Sequence, residues 1–257
     1  MLSVGNLQYS VGKKQILRGI TAIFSGKKFH VIVGPNGSGK STFLKIFSGA
    51  IKPSEGNVYY DEKNIAGIEK TSLARMRAVM SQQPELSFPL LVEDIVMMGR
   101  YPYFSFKPSQ QDEKICREAM EKMELQELAS RDYLTLSGGE KQRVQFARVL
   151  AQIGETGHGP KYLFLDEAIS HLDLKHQHQL LRLAKNLCSN DVTVIAILHD
   201  LNLAINYADR IMMLKEGSIA YDVSSTEQLT GSMISEVFDV RARLATIEGE
   251  ERKMVIF

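Results

Sequence analysis

Eight consecutive positions, Gly34-Pro35-Asn36-Gly37-Ser38-Gly39-Lys40-Ser41, gather three glycines, a lysine and two hydroxyls. Glycines let a backbone curl so that successive N–H groups face one anion, and the spacing is that of a G-x-x-x-x-G-K-[ST] phosphate loop. In such a loop Lys40 reaches the β- and γ-phosphates of a nucleoside triphosphate, and the Ser41 hydroxyl can ligate Mg²⁺. The following run, Ser41-Thr42-Phe43-Leu44-Lys45-Ile46-Phe47, reads as a helix that stops near Gly49. It adds the positive end of a helix dipole to the loop. A second set stands at Tyr162-Leu163-Phe164-Leu165-Asp166-Glu167, an apolar strand ending in two carboxylates. Side chains alternate along a strand, so Asp166 can complete a Mg²⁺ shell while Glu167 turns the other way. There Glu167 can orient or deprotonate a water that attacks the γ-phosphate.

These groups need a scaffold that assembles strand ends. Apolar runs at 30–33, 78–80, 162–165, 192–198 and 211–214 alternate with helical patterns, which predicts an α/β fold around a mainly parallel sheet. Several runs lack polar alternation, as strands covered on both faces do. Ligands of such sheets gather at the carboxyl ends of the strands, which places Asp166 near Ser41. Residues 2–9, 15–24 and 56–60 carry shorter, turn-punctuated patterns and predict a small antiparallel sheet beside the core. From about 84 to 152 the strand signals stop. Ser109 can cap a helix reaching about Glu124, and Ser137-Gly138-Gly139 can open another whose buried stripe is Val144, Ala147, Leu150 and Ala151. The run 154–160 reads as a flexible connection, 226–239 as a helix, and 240–257 as a strand-rich tail with no function assigned.

Leu136-Ser137-Gly138-Gly139-Glu140 discriminates among proteins that own such a loop. With residues 34–41, the Asp166-Glu167 pair and His199 after a strand, the chain resembles the ATP-binding-cassette ATPases over essentially its whole length. The resemblance implies a P-loop NTPase (RecA-like) core with an N-terminal antiparallel β subdomain and an inserted α-helical subdomain. Residues 1–85 and 156–257 would form the core and 86–155 the helical part. It also implies ATP and Mg²⁺, and a homodimer in which each ATP lies between one subunit's phosphate loop and the other's Ser137, Gly138, Gly139 and Glu140. Thr42 and Asp173 fall among the nucleotide-binding positions of this likeness. Tyr9 matches an aromatic that stacks on adenine, and Gln82 a glutamine that reaches Mg²⁺ and the attacking water. His199 matches a histidine that contacts the γ-phosphate.

One segment departs from the family pattern. Where Pro-Thr-Ser-Ala-Leu-Asp is usual after the two carboxylates, this chain reads Ala168-Ile169-Ser170-His171-Leu172-Asp173. Losing the proline loosens a turn, and His171 brings a titratable group to a segment that faces the partner subunit in the family. His171, His176 and His178 could suggest a metal cluster. However, 176 and 178 stand two apart on a helix, hence on different faces, and read as solvated.

The remaining features bound the task. Lys and Arg number 31 against 30 Asp and Glu, a net charge of +1, which excludes a polybasic nucleic-acid binder. Two cysteines cannot build a disulfide framework, and no run approaches a membrane span or a signal peptide. A cytosolic protein is expected, and any membrane role must come through a partner. Within the resemblance, the segment 87–100, Arg131-Asp132-Tyr133, and the runs 147–152 and 174–178 are most similar to ATPases of the iron-chelate, haem and cobalamin importers, closest to the haem branch. That implies two membrane-spanning permease subunits, indirectly a substrate-binding protein, and a peripheral place on the cytoplasmic face of the bacterial inner membrane. An ATPase for ferric siderophore or cobalamin import, or one of a cytosolic assembly machine, stands as the alternative. Apolar residues Leu86, Phe88, Leu90, Leu91, Tyr101, Tyr103, Phe104 and Phe106 could meet a permease, with exposure expected only around 86–89 and 101–104.

Overall fold

A computed structural model describes residues 1–81, 88–154, 161–246 and 253–257. In chain order the elements begin with β1 (Leu2–Val11), β2 (Lys14–Phe24), β3 (Phe29–Val33), α1 (Lys40–Phe47), β4 (Glu55–Tyr60) and β5 (Lys63–Asn64). There follow α2 (Lys70–Met76), β6 (Arg77–Met80), α3 (Val92–Met98), α4 (Gln110–Lys122), α5 (Gly138–Ile153), β7 (Lys161–Asp166) and α6 (Leu174–Leu187). The last group is β8 (Val192–Ile197), α7 (Leu201–Tyr207), β9 (Arg210–Lys215), β10 (Ser218–Val223), α8 (Gly231–Phe238), β11 (Arg243–Thr246) and β12 (Lys253–Ile256). The chain folds into two compact units, residues 1–68 with 184–257, and residues 69–183.

In the first unit, β3 runs parallel to β8 on one side (Phe29↔Val194 to Ile32↔Ile197) and to β9 on the other (His30↔Arg210 to Val33↔Met213). Every residue of β3 and β8 is buried, the pattern expected of strands covered on both faces. Strand β10 returns along β9 through a tight turn at Glu216 and Gly217, both at positive φ. An antiparallel sheet ordered β2-β1-β4-β5 accompanies them, with Leu2, Val4 and Leu7 facing inward from β1 and Leu17, Ile20, Ala22 and Phe24 from β2. Helix α1 joins this packing through Phe47, whose ring meets Phe24 edge-on at 5.0 Å. The Tyr60 hydroxyl donates to Phe47 O at 2.7 Å and so satisfies a carbonyl at the helix end.

The second unit pairs β6 with β7 in parallel (Arg77↔Tyr162 to Met80↔Leu165) and carries α2 to α5. Both expected helix starts are capping boxes. Ser109 Oγ accepts from Asp112 N while Ser109 N donates to the Asp112 carboxylate, and Ser137 and Glu140 repeat the exchange. Arg100, 1 % exposed, packs between these helices: Nε donates to Asp112 Oδ1 at 2.8 Å and an Nη to Ala151 O at 2.9 Å. Its guanidinium also lies 3.8 Å from the Tyr103 ring centroid. Burial pushes the Asp112 carboxyl up, yet the Ser109 hydroxyl and N–H and the Arg100 cation together hold it below its ordinary value.

The expected strands are all present, with ends shifted by one or two residues. The helix expected over 226–239 is divided. A 3₁₀ turn capped by Ser225 covers Thr226–Gln228, and α8 starts only after Thr230, whose hydroxyl accepts from Met233 N. The tail forms the hairpin β11–β12, tied to α7 by Asn202, whose side chain accepts from Val255 N and donates to Val255 O. Residues 155–160, the core of the expected flexible connection, lie outside the described residues. No helix among the described residues is long and apolar enough to cross a membrane.

His30 gives the first unit a pH-dependent stability. It is 1 % exposed, sits edge-on to Phe24, and bonds Ser25 O through Nε2 at 2.8 Å. Desolvation lowers its pKa from 6.5 to about 4. The unfolded chain therefore binds this proton first on acidification. The stability from the neutral ring is complete above pH 6.5 and is lost as pH falls from there toward 4, by up to about 3 kcal/mol. Denaturant unfolding of wild type and His30→Gln at about pH 7 and about pH 4.5 checks this: the wild-type loss should exceed that of the variant.

Candidate functional site

The phosphate loop grows out of the end of β3. Gly34 leaves the strand at φ 153°, and a Cβ there would collide with Leu214 O of β9, so only glycine fits. Gly37 and Gly39 also have positive φ, and the loop delivers the chain to α1 with no side-chain cap. The start of α1 carries the positive end of its helix dipole, which suits an anion. Lys40 is 5 % exposed, and its Nζ donates to Gly34 O at 2.8 Å and Pro35 O at 3.0 Å. Ser38 Oγ is buried with no hydrogen-bond partner among the described residues, as suits a hydroxyl that serves a bound oxyanion. Asn36 is exposed, and Pro35, Ser41 and Thr42 are half-buried along the loop and first helical turn.

Two more expected residues belong to this unit. The β3–β8 register ends with Ile32↔Ile197, so Gly34 and His199 each stand two residues beyond it, at the carboxyl ends of adjacent parallel strands. His199 is exposed and precedes Asp200, which caps α7 by accepting from Asn202 N and Leu203 N. Tyr9, half-buried in β1, is paired with Leu17 of β2. Leu17 Cδ2 is the atom that a Cβ on Gly39 would meet at 2.7 Å, so the tyrosine shares a sheet face with the floor of the loop.

The second unit holds the remaining groups. Asp166 ends β7 and is 3 % exposed; Glu167 follows at φ 53°, half-buried. Ser137, Gly138 and Gly139 open α5 beside residues 171–173. Cβ atoms on the two glycines would lie 3.7 Å from the His171 side chain and 3.4 Å from His171 O. An open hollow of about 390 Å³ separates the two segments, lined by Ser137, Gly139, Arg143, His171, Asp173 and His176 among others. Glu140 lies on its edge, engaged with Ser137. The Ser137 backbone N–H, then its hydroxyl, hold that carboxyl below its ordinary value. Asp173 accepts from His176 N at 2.9 Å and from His176 Nδ1 at 2.7 Å, and the backbone bond leads in lowering its pKa.

His176 is thus half-buried and bonded rather than solvated, because the helix start presents it to Asp173. No group of three or more His, Cys, Asp or Glu among the described residues could hold a metal ion. Gln82 and Leu86 lie outside the described residues. Of the apolar candidates, Phe88, Leu91, Tyr101 and Phe106 are exposed. Tyr103 turns inward, its hydroxyl on Gln152 O at 2.7 Å. Sequence reasoning missed Gln142, which bonds both Ser170 and His171; its one available signal was a position one helical turn after Gly138. It also missed Arg148, which ties α5 to Val79 O of β6 at 3.1 Å.

Comparison with known proteins finds relatives over most of the chain. Residues 17–170 match a family described as ABC transporter. The hemin import ATP-binding protein HmuV of Bradyrhizobium diazoefficiens is 38% identical over 97% of this chain and 92% of its own. The protein of the same name from Rhodopseudomonas palustris is 42% identical over 90% and 85%. Among solved structures, an ATP-binding cassette captured as a post-hydrolysis dimer with ADP and Pi superposes with a TM-score of 0.74 at 28% identity, covering 86% of this chain and 97% of that one.

The packing at Gly34 yields a direct test. Gly34→Ala forces a methyl group against the Leu214 carbonyl, so β9 and the loop must part. Nucleotide affinity, measured by fluorescent-ATP titration, should fall at least about tenfold, with a loss of stability of about 1–3 kcal/mol.

Proposed function

Because this chain belongs to the ABC transporter family, we propose that it is the ATP-binding and ATP-hydrolysing subunit of an importer, and that the solute is hemin. The observation that carries the ATPase reading is the loop itself: buried Lys40, glycines whose positive φ lets the backbone curl, and a buried Ser38 hydroxyl. The hemin assignment is supported by the named relatives, which align over nearly the whole chain.

In this reading the N–H groups of 34–41 and Lys40 hold the phosphates, Thr42 lies at the start of α1 beside them, and Tyr9 stacks on adenine. Ser41, Asp166 and Gln82 would hold Mg²⁺; hydroxyl, carboxylate and amide oxygens are the hard donors that this ion takes. The ion would neutralise charge on the β- and γ-phosphates. Glu167 accepts a proton from the attacking water, and His199 contacts the γ-phosphate. A second copy of the chain supplies Ser137, Gly138, Gly139 and Glu140, with Asp173 beside them. Closure on ATP and release after hydrolysis then drive two permease subunits, which a substrate-binding protein loads. Residues from 82 to 100, with the exposed Phe88, Leu91 and Tyr101 nearby, form the contact with the permease at the cytoplasmic face of the inner membrane. In domain terms, residues 1–85 and 156–257 bind nucleotide and 86–155 transmit the motion.

Lys40→Ala should lose ATP binding or turnover, and parental turnover in that variant would refute the site. Glu167→Gln should bind ATP but hydrolyse it at least about 10²-fold more slowly. It should accumulate as an ATP-bound dimer in sedimentation; a monomer at saturating ATP refutes the shared site. Reconstitution with candidate permeases should show turnover stimulated by hemin, and stimulation by a siderophore or cobalamin instead would refute the solute.

A further inference from the structure

The backbone carbonyl of Glu167 is held by a hydroxyl that is itself fully committed. Ser170 Oγ donates to Glu167 O at 3.1 Å, and Ser170 N points at the same oxygen from 3.3 Å. A serine hydroxyl has one proton and two lone pairs. With the proton on Glu167 O, the lone pairs accept from Gln142 Nε2 at 3.3 Å and from His171 Nδ1 at 2.9 Å. With that placement of the serine proton, His171 Nδ1 is the donor of the pair. The circuit closes where His171 N donates to Gln142 Oε1 at 3.1 Å.

What this circuit holds is a costly conformation. Glu167 sits at φ 53°, a left-handed geometry that a glutamate keeps only when its surroundings impose it. The segment has no proline to stiffen it; Ala168, Ile169 and Leu172 are buried instead, and Ser170 and His171 remain exposed between them. Gln142, 8 % exposed, brings the restraint from α5, one turn after the Gly138 that packs on His171.

We propose that Gln142, Ser170 and His171 are positioning residues: together they fix the Glu167 peptide and so aim its carboxylate at the water it deprotonates. The proposal rests on the reading of Glu167 as the base. It makes the start of α5 and the base one mechanical piece, since a shift of Gln142 reaches Glu167 through Ser170.

The test is steady-state ATP hydrolysis by the full chain, with melting temperature measured alongside. Ser170 and His171 are exposed, so their variants should fold. Ser170→Ala should lower kcat about tenfold while leaving KM for ATP within about twofold, because aim is lost and binding is not. His171→Ala should lower kcat about threefold, and Ser170→Thr, which keeps the hydroxyl, should restore most of the loss. In a Glu167→Gln background Ser170→Ala should change the residual rate by less than about twofold, since no base is left to aim. Parental kcat in Ser170→Ala beside an inactive Glu167→Gln overturns the positioning role alone. An undiminished further loss in the Glu167→Gln background also overturns it, as that marks a structural effect. Parental turnover in Glu167→Gln itself overturns the base reading and the proposal with it.

Discussion

A buried ammonium group has to be met by oxygen, and much of the first unit follows from that demand. Removing the charge of Lys40 from water costs several kcal/mol unless acceptors replace the lost hydration. The carbonyls of Gly34 and Pro35 do so. They can face inward only because the loop curls, and the curl begins where Gly34 passes too close to Leu214 for any side chain. That approach depends on β9 lying beside β3, which the parallel register and the complete burial of β3 enforce. The hairpin turn adds a clasp: Gly217 N donates to Ser38 O, and Gly217 O accepts from Arg18 N of β2. One desolvated cation thus ties together a loop, three strands and a turn.

The parts of this design legible in the sequence are those with local or periodic causes. Strands β3, β7 and β8 read as unbroken apolar runs because helices and sheet exclude water from both faces. Ser109 and Ser137 read as helix starts because a capping box is complete within four residues. The phosphate loop, His199 and the acidic pair are legible because each is a short motif attached to a strand end. Boundaries are less so. Strand β9 extends to Arg210 and Lys215, whose charges read as loop but are held by Asp222 and Asp239. The division of 226–239 has the same character. Thr230 captures a backbone N–H and starts a new helix, a competition that hydrophobic spacing does not register.

The rest is illegible because it is tertiary. Nothing in the spacing of Gln142 and Ser170, 28 residues apart, marks them as partners. The same is true of Arg148 and Val79, or of Tyr103, whose ring packs under Arg100 while its neighbour Tyr101 stays exposed. His176 reads as a surface residue on helical spacing alone, and only the position of Asp173 at the head of α6 draws it in. In each case a polar side chain finds its place by satisfying a buried or terminal group, which is information carried by the fold and not by the neighbouring letters.

The ion pair of Arg100 and Asp112 has a consequence for how this chain can drift over generations. Either residue alone, once replaced by an apolar one, strands the other as an uncompensated charge at about 3–5 kcal/mol. Replacing both together by packed apolar groups can be nearly neutral. The two codons are therefore locked: the intermediate genotypes are purged although the end points fold equally well. Descendants of this helical unit should keep both residues or neither.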